Sequence, residues 1–302
     1  MTTRREFIVG GSATAGFLIS GSLVSGSFGT AFAASPKARA FTTAIARIER
    51  EVKGRLGVAV LDTHSGAQFA HRATERYPMC STFKLLAASA VLKRVDKGIE
   101  KLDRRVKIEA RDIVPDSTKL KAPPESGDMA LGDLCELAMI YSDNTSGNLI
   151  LASIGGPPAL TAYARTLGDT VTRLDRNEPT LNESTPGDLR DTTSPAAMLG
   201  NIRKLVLGNA LSGASKEQLT KWLLGNKTGD TRLRAKLPAD WKVGDKTGSG
   251  DHGSTNDVGV IWPAQGAPII VTIYLTETDA KPEQRNAALA AVGQAVAATI
   301  SA

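Results

Sequence analysis

Phe41, Ile45, Ile48 and Val52 recur at helical spacing and the pattern stops at Gly54, which predicts a helix over residues 38–53. The segments LGVAVLD and AQFAHR flank THSG and predict a strand, a turn and a second strand. Residues 83–95 read as an apolar helix stopped near Gly98. Residues 131–142 and 144–154 read as two more, the second closed by GGPP, and residues 158–167 as another. From residue 173 to residue 193 the periodicity disappears: RLDRNEPTLNESTPGDLRDTT holds two prolines and many charges. A structureless loop that long is usually functional or disordered. Helical patterns resume over residues 195–207 and 215–224. WKVGDKTGS, DVGVIWP and APIIVTIYLT then read as strands with turns between them, and a closing helix is predicted over residues 282–300.

Strands therefore sit at both ends of the chain and helices fill the middle. The fold class expected is α+β: an antiparallel sheet assembled from both ends, flanked by the terminal helices, with an inserted all-α lobe. The corresponding boundaries are residues 36–71 and 225–302 for the α/β lobe and 72–224 for the helical lobe. A chain of 302 residues has ample length for a buried core, and the cleft between two lobes is the default place for an active site.

Composition changes this picture little. The chain is 41% hydrophobic and 23% charged, with a net charge of +6 spread along its length and no Lys/Arg block, which speaks against a nucleic-acid partner. The first residues do matter. Arg4 and Arg5 precede Phe7 and a run rich in Gly, Ala, Ser and Leu, ending at Ala31-Phe32-Ala33, an A-x-A cleavage pattern. Residues 1–33 are therefore expected to be a cleaved export signal of the twin-arginine type, leading to the periplasm or the medium. Ser27 stands where a lipobox would need Cys, and no later apolar run reaches the roughly 18 residues of a membrane span.

The chemistry starts at PMCSTFKLL, where Cys80 adjoins Ser81 and Lys84 follows three residues on. Cys80 is intrinsically the better nucleophile but needs an exposed position and a depressed pKa. The lysine register fits Ser81: both would lie on one side of the first turn of an apolar helix, so the amine can take the hydroxyl proton. Ser-x-x-Lys alone is weak, since about one match is expected by chance in a chain of this length. Next comes YSDNT, where Ser142-Asp143-Asn144 joins two helices. WKVGDKTGSG then places Lys246-Thr247-Gly248 at a strand end. A second Lys-Thr-Gly, Lys227-Thr228-Gly229, follows a helix with no strand pattern before it and reads as loop punctuation.

Ser-x-x-Lys, Ser-Asp-Asn and Lys-Thr-Gly in this order are the set of motifs shared by class A β-lactamases and penicillin-binding proteins. With them, the sequence closely resembles the class A serine β-lactamases over essentially the whole chain after the signal. The aperiodic stretch extends the resemblance: Glu178 and Asn182 in RNEPTLN match the family's Glu-x-x-x-Asn, and Arg176 and Asp191 match the ion pair closing its omega loop, residues 176–191. The resemblance implies a hydrolase of penicillins and/or cephalosporins that confers antibiotic resistance. Ser81 would be the nucleophile, with Lys84 or Glu178 (through water) as the acylation base. Glu178 and Asn182 would aim the deacylating water, and Ser142 would deliver a proton to the lactam nitrogen. Lys246, Thr247, Ser249 and Arg232 would hold the substrate carboxylate, Asn144 the acylamide side chain, and the N–H groups of Ser81 and Ser249 the oxyanion.

Several positions depart from common family patterns. Gly250 stands where some members carry a cysteine paired with the Cys80 position, and Ala88 where others carry the partner of Cys135, so two free thiols are expected. Thr255 replaces an arginine used by some members, leaving Arg232 for that role. Asp116 in VPDST occupies the place of an aromatic gate residue. His64, His71 and His252 lie in or beside turns without ligand spacing, so no metal and no cofactor are expected. A D-alanyl-D-alanine peptidase and a non-hydrolysing β-lactam sensor share the first three motifs but lack the use for Glu178. Nothing in the chain suggests more than a monomer.

Overall fold

The computed structural model describes residues 35–301, so the export signal predicted over residues 1–33 lies outside the described residues. Ser35 caps the first helix, α1 (Pro36–Val52), its hydroxyl accepting from the Ala38 amide at 3.2 Å. Pro36 suits the first helical position, where an N–H would have no partner. β1 (Arg55–Asp62) and β2 (Gln68–His71) form the predicted hairpin. A short strand, β3 (Tyr77–Pro78), leads into a one-turn helix, Cys80–Thr82, and then α2 (Phe83–Asp96). Residues 83–92 of α2 are buried without interruption, which is why that stretch is apolar apart from Lys84 and Ser89.

β4 (Arg105–Lys107) and β5 (Asp128–Ala130) pair antiparallel, a ribbon that the sequence pattern did not predict because each strand is three residues long and none of it is fully buried. α3 (Leu131–Ile140) ends two residues before its predicted boundary. Ser142 takes φ +58°, which turns the chain so that Asp143 can cap α4 (Asn144–Ile154) by accepting from the Ser146 amide at 2.9 Å. α5 (Gly156–Thr166) follows, and β6 (Thr192–Thr193) pairs with β3 after the long loop. α6 (Pro195–Ile202) runs into a π-helical turn at Arg203–Leu207, and α7 (Gly213–Leu224) completes the middle of the chain. β7 (Lys242–Ser249), β8 (Thr255–Trp262), β9 (Ile269–Thr276) and α8 (Pro282–Ser301) close it.

The main sheet runs β2–β1–β9–β8–β7, antiparallel throughout, so the last strand lies beside the first, as an α+β sheet built from both ends requires. Ile269, Val271, Ile273 and Leu275 of β9 join a core with Phe41, Ile45, Leu289 and Val292 of the terminal helices. Ile270 and Tyr274, on the opposite face, join the core of the central helices with Leu86, Leu134 and Trp222. Both faces of β9 are covered, which explains why its sequence is apolar at successive positions, broken only by the buried Thr272 and Thr276, rather than an alternation. β7 passes close to the turn before α2: a Cβ on Gly248 would lie 2.8 Å from the Met79 carbonyl oxygen. From β8, Asn256 donates to the carbonyls of Pro78 and Met79 at 2.9 and 3.1 Å and fixes that turn.

Candidate active site

Lys84 projects from the first turn of α2, one turn after Ser81, and its Nζ lies 2.9 Å from Ser81 Oγ. The amine is fully buried and also donates to the Ser142 carbonyl at 2.8 Å and to Asn144 Oδ1 at 2.7 Å. Its fourth neighbour is Glu178 Oε1 at 2.9 Å, with neither side chain exposed. A buried lysine is tolerated only when its amine is compensated in this way. Room for it depends on Gly147 of α4, where a Cβ would lie 2.6 Å from Lys84 Cε.

Glu178 reaches the same centre from the long loop. Ser81 Oγ donates to Glu178 Oε1 at 3.2 Å, and Asn182 Nδ2 donates to Glu178 Oε2 at 2.5 Å. Asn148, one turn beyond Asn144 on α4, clamps the Glu178 backbone, accepting from its N–H and donating to its carbonyl, each at 2.9 Å. Sequence reading missed Asn148, although its i+4 relation to Asn144 was the available signal. The base of the loop is closed by Arg176, whose Nε donates to Asp191 Oδ2 at 2.6 Å. Asp191 Oδ1 accepts from the amides of Asp175 and Arg176 at 2.7 and 3.0 Å, and Arg176 also pairs with Glu183.

The alternative nucleophile fails on geometry. Cys80 is fully buried, its sulfur 3.5 Å from Ser184 Oγ, and burial pushes the thiol up to about 12. Cys80 and Cys135 are both free, as expected.

The third wall is the end of β7. Lys246 Nζ donates to Ser142 Oγ at 2.9 Å and is completely buried. Burial, with the Lys84 amine adding repulsion, holds its ammonium well below the ordinary lysine range. Arg232 NH2 donates to Ser249 Oγ at 2.7 Å, while NH1 donates to the carbonyls of Gly248 and Asn256 at 2.8 and 2.9 Å. Burial lowers the Arg232 pKa from its usual value. Behind the strand, Asn226 Nδ2 donates to Asp245 Oδ1 at 2.9 Å and Arg234 pairs with the same carboxylate. Burial, helped by the Asp245 charge, raises Asp257 well above the usual carboxylate range. The second Lys-Thr-Gly does lie in a loop, but Thr228 Oγ1 stands 2.5 Å from Thr247 Oγ1, so punctuation is not a full description of it.

Ser81, Lys84, Ser142, Asn144, Glu178, Asn182 and Lys246 are thus joined by one hydrogen-bonded network, with Thr247, Ser249 and Arg232 at the β7 end. Asp116 takes φ +60° and is exposed at the edge, where Asn144 Nδ2 donates to the Pro115 carbonyl at 3.2 Å. Asp143 anchors that edge by accepting from the amides of Lys119 and Leu120 at 2.8 and 2.9 Å. Among the described residues no group of His, Cys, Asp and Glu could hold a metal ion.

The sequence model of the β-lactamase enzyme family matches residues 40–300. β-Lactamase CTX-M-8 of Citrobacter amalonaticus is 47% identical over 252 residues, which cover 83% of this chain and 86% of the relative. β-Lactamase OXY-2 of Klebsiella oxytoca is 46% identical over 249 residues, covering 82% and 86% respectively. The solved structure of an ancestral class A β-lactamase (GNCA) is similar with a TM-score of 0.83 and 56% identity, covering 85% of this chain and 98% of that one.

Proposed function

The chain belongs to the β-lactamase enzyme family, in its class A branch, and from that premise we propose that it opens the lactam ring of penicillins and/or cephalosporins through a serine acyl-enzyme, giving antibiotic resistance. The observation that carries this reading is the Glu178 carboxylate held 3.2 Å from Ser81 Oγ, beside the lysine that shares the same hydroxyl. In the proposed cycle Ser81 Oγ attacks the lactam carbonyl carbon and its proton passes to Lys84, or through water to Glu178. The carbonyl oxygen gathers charge between the N–H groups of Ser81 and Ser249. The ring C–N bond then breaks, and the nitrogen takes a proton from Ser142, which Lys246 contacts; Ser142 is reprotonated by the proton that Lys84 or Glu178 took from Ser81. For release, Glu178 removes a proton from a water aimed with the help of Asn182, the water oxygen attacks the ester carbon, and Ser81 regains its proton.

Lys246, Thr247, Ser249 and Arg232 form the carboxylate-binding end in this reading, and Asn144 holds the acylamide. The export signal at residues 1–33, the twin-arginine route and a periplasmic or secreted monomer complete the proposal, as does a two-lobe division with the site between the lobes. Among the described residues, no helix is long and apolar enough to cross a membrane. The test mixes protein lacking residues 1–33 with excess benzylpenicillin and follows lactam loss and intact protein mass together. Many turnovers with little residual adduct are expected. One equivalent consumed, with a lasting adduct, would mean a penicillin-binding protein or sensor.

The buried Lys246 also makes a pH prediction. An ammonium with a depressed pKa is charged below that pKa and neutral above it, so attraction for a carboxylate is lost as pH rises. KM for benzylpenicillin should climb on the alkaline side with an inflection below 10.5, the ordinary lysine value, by up to about tenfold per pH unit. Lys246→Arg should abolish that rise, because a guanidinium keeps its charge. A wild-type KM that stays flat to pH 10.5 would contradict the assignment.

A further inference from the structure

The loop between α7 and β7 carries Asn226-Lys227-Thr228-Gly229, and three of these four residues are committed to the back of the site. Asn226 is buried and its Nδ2 donates to the Asp245 carboxylate at 2.9 Å. That fixes the amide, so Asn226 Oδ1 faces Thr228, where it accepts from the Thr228 N–H at 3.0 Å and from the Thr228 hydroxyl at 2.8 Å. Gly229 lies directly on Asp245: a Cβ there would stand 2.1 Å from Asp245 Oδ2, so only glycine permits this approach.

These partners decide the direction of the remaining hydrogen bond. Thr228 and Thr247 hydroxyl oxygens are 2.5 Å apart and need one hydrogen between them. Asn226 Oδ1 is an acceptor within 2.8 Å of the Thr228 hydroxyl, and with the Thr228 hydrogen given there Thr247 is the donor of the pair. Ser249, two residues on, is ordered in the opposite sense. Its oxygen accepts from Arg232 at 2.7 Å, which leaves the Ser249 hydrogen free to be given to a ligand.

We propose that Thr228 is a positioning residue that competes with the substrate carboxylate for the Thr247 hydroxyl hydrogen, so that the resting site offers one ready donor, Ser249, and one that must turn, Thr247. This rests on the reading of the β7 end as the carboxylate-binding end. A carboxylate accepts and does not donate, so engaging Thr247 costs the Thr247–Thr228 hydrogen bond. Removing the Thr228 hydroxyl relieves that competition and favours any β-lactam that bears a carboxylate.

The experiment is a double-mutant cycle on steady-state kinetics with benzylpenicillin, using Thr228→Val, Thr247→Val and both together. Thr228→Val should lower KM by about two- to tenfold, the range of one neutral hydrogen bond, with the change confined to KM. Thr228→Ser, which keeps the hydroxyl, should behave as wild type. In the Thr247→Val background, which by itself should raise KM, Thr228→Val should have no further effect. A Thr228→Val KM that rises or stays constant, or that shifts equally in both backgrounds, would overturn the proposal. Should Thr228→Val fold poorly, Thr228→Ala makes the same deletion on a half-buried loop position and is read the same way. If Thr247→Val leaves KM unchanged, the carboxylate reading of this end fails, a result distinct from failure of the competition alone.

Discussion

Glu178→Ala should reduce steady-state hydrolysis of benzylpenicillin by about 10²–10⁴, the usual contribution of a positioned general base, while the protein accumulates one equivalent of acyl adduct. The expectation follows from how the carboxylate is held. It is 3% exposed, its Oε2 is tied to Asn182 at 2.5 Å, and its backbone is clamped on both sides by Asn148. Such fixation suits a group that must meet a water and an ester carbon at one place. Attack by Ser81 keeps the alternative proton acceptor Lys84, still 2.9 Å away, so acylation survives where hydrolysis of the ester does not. Rapid mixing followed by intact-mass measurement reads both phases. A variant that turns over at the wild-type rate, or that never forms the adduct, would remove Glu178 from the role given to it.

Lys84→Met should slow acylation by about 10²–10⁴ and also lower the melting temperature. Methionine replaces the stem but not the charge. Four oxygen neighbours lose their donor, and Glu178 becomes a carboxylate buried without its cation. Removing one partner of a buried pair typically costs about 3–5 kcal/mol. Melting curves of the two proteins, beside single-turnover acylation rates, check both parts. A melting temperature equal to that of the wild type would show that the pair is not coupled as its 2.9 Å separation implies.

Much of this centre was legible before any coordinates, and the reason is local geometry. Ser81 and Lys84 are three residues apart on one helical turn, so the backbone itself brings amine and hydroxyl together wherever that turn forms. The four apolar positions of α1 and the largely apolar run of β9 state which surfaces will be covered. The resemblance to the class A enzymes supplied the long-range part of the site, Glu178 and Lys246, which no spacing rule could have joined to Ser81. By periodicity alone the loop from residue 173 to residue 193 reads only as unusual; its place in the site and the Arg176–Asp191 pair came from the resemblance, and the part of Glu183 in that closure from the fold.

What stayed hidden depends on packing between segments distant in sequence. Asn148 is an ordinary helical polar residue until the loop bearing Glu178 is laid on α4. The β4–β5 ribbon has too few residues to declare itself, and its pairing is held by the helices that follow. Thr228 looked like punctuation because a Lys-Thr-Gly without a strand has no local meaning. Only when β7 comes to rest against that loop does its hydroxyl reach Thr247. Side-chain spacing along a helix or strand is dictated by the backbone repeat and is therefore written in the chain. Which hydroxyl gives its hydrogen to which oxygen, and which lysine loses its water, are decided by neighbours that only the folded arrangement brings within 3 Å.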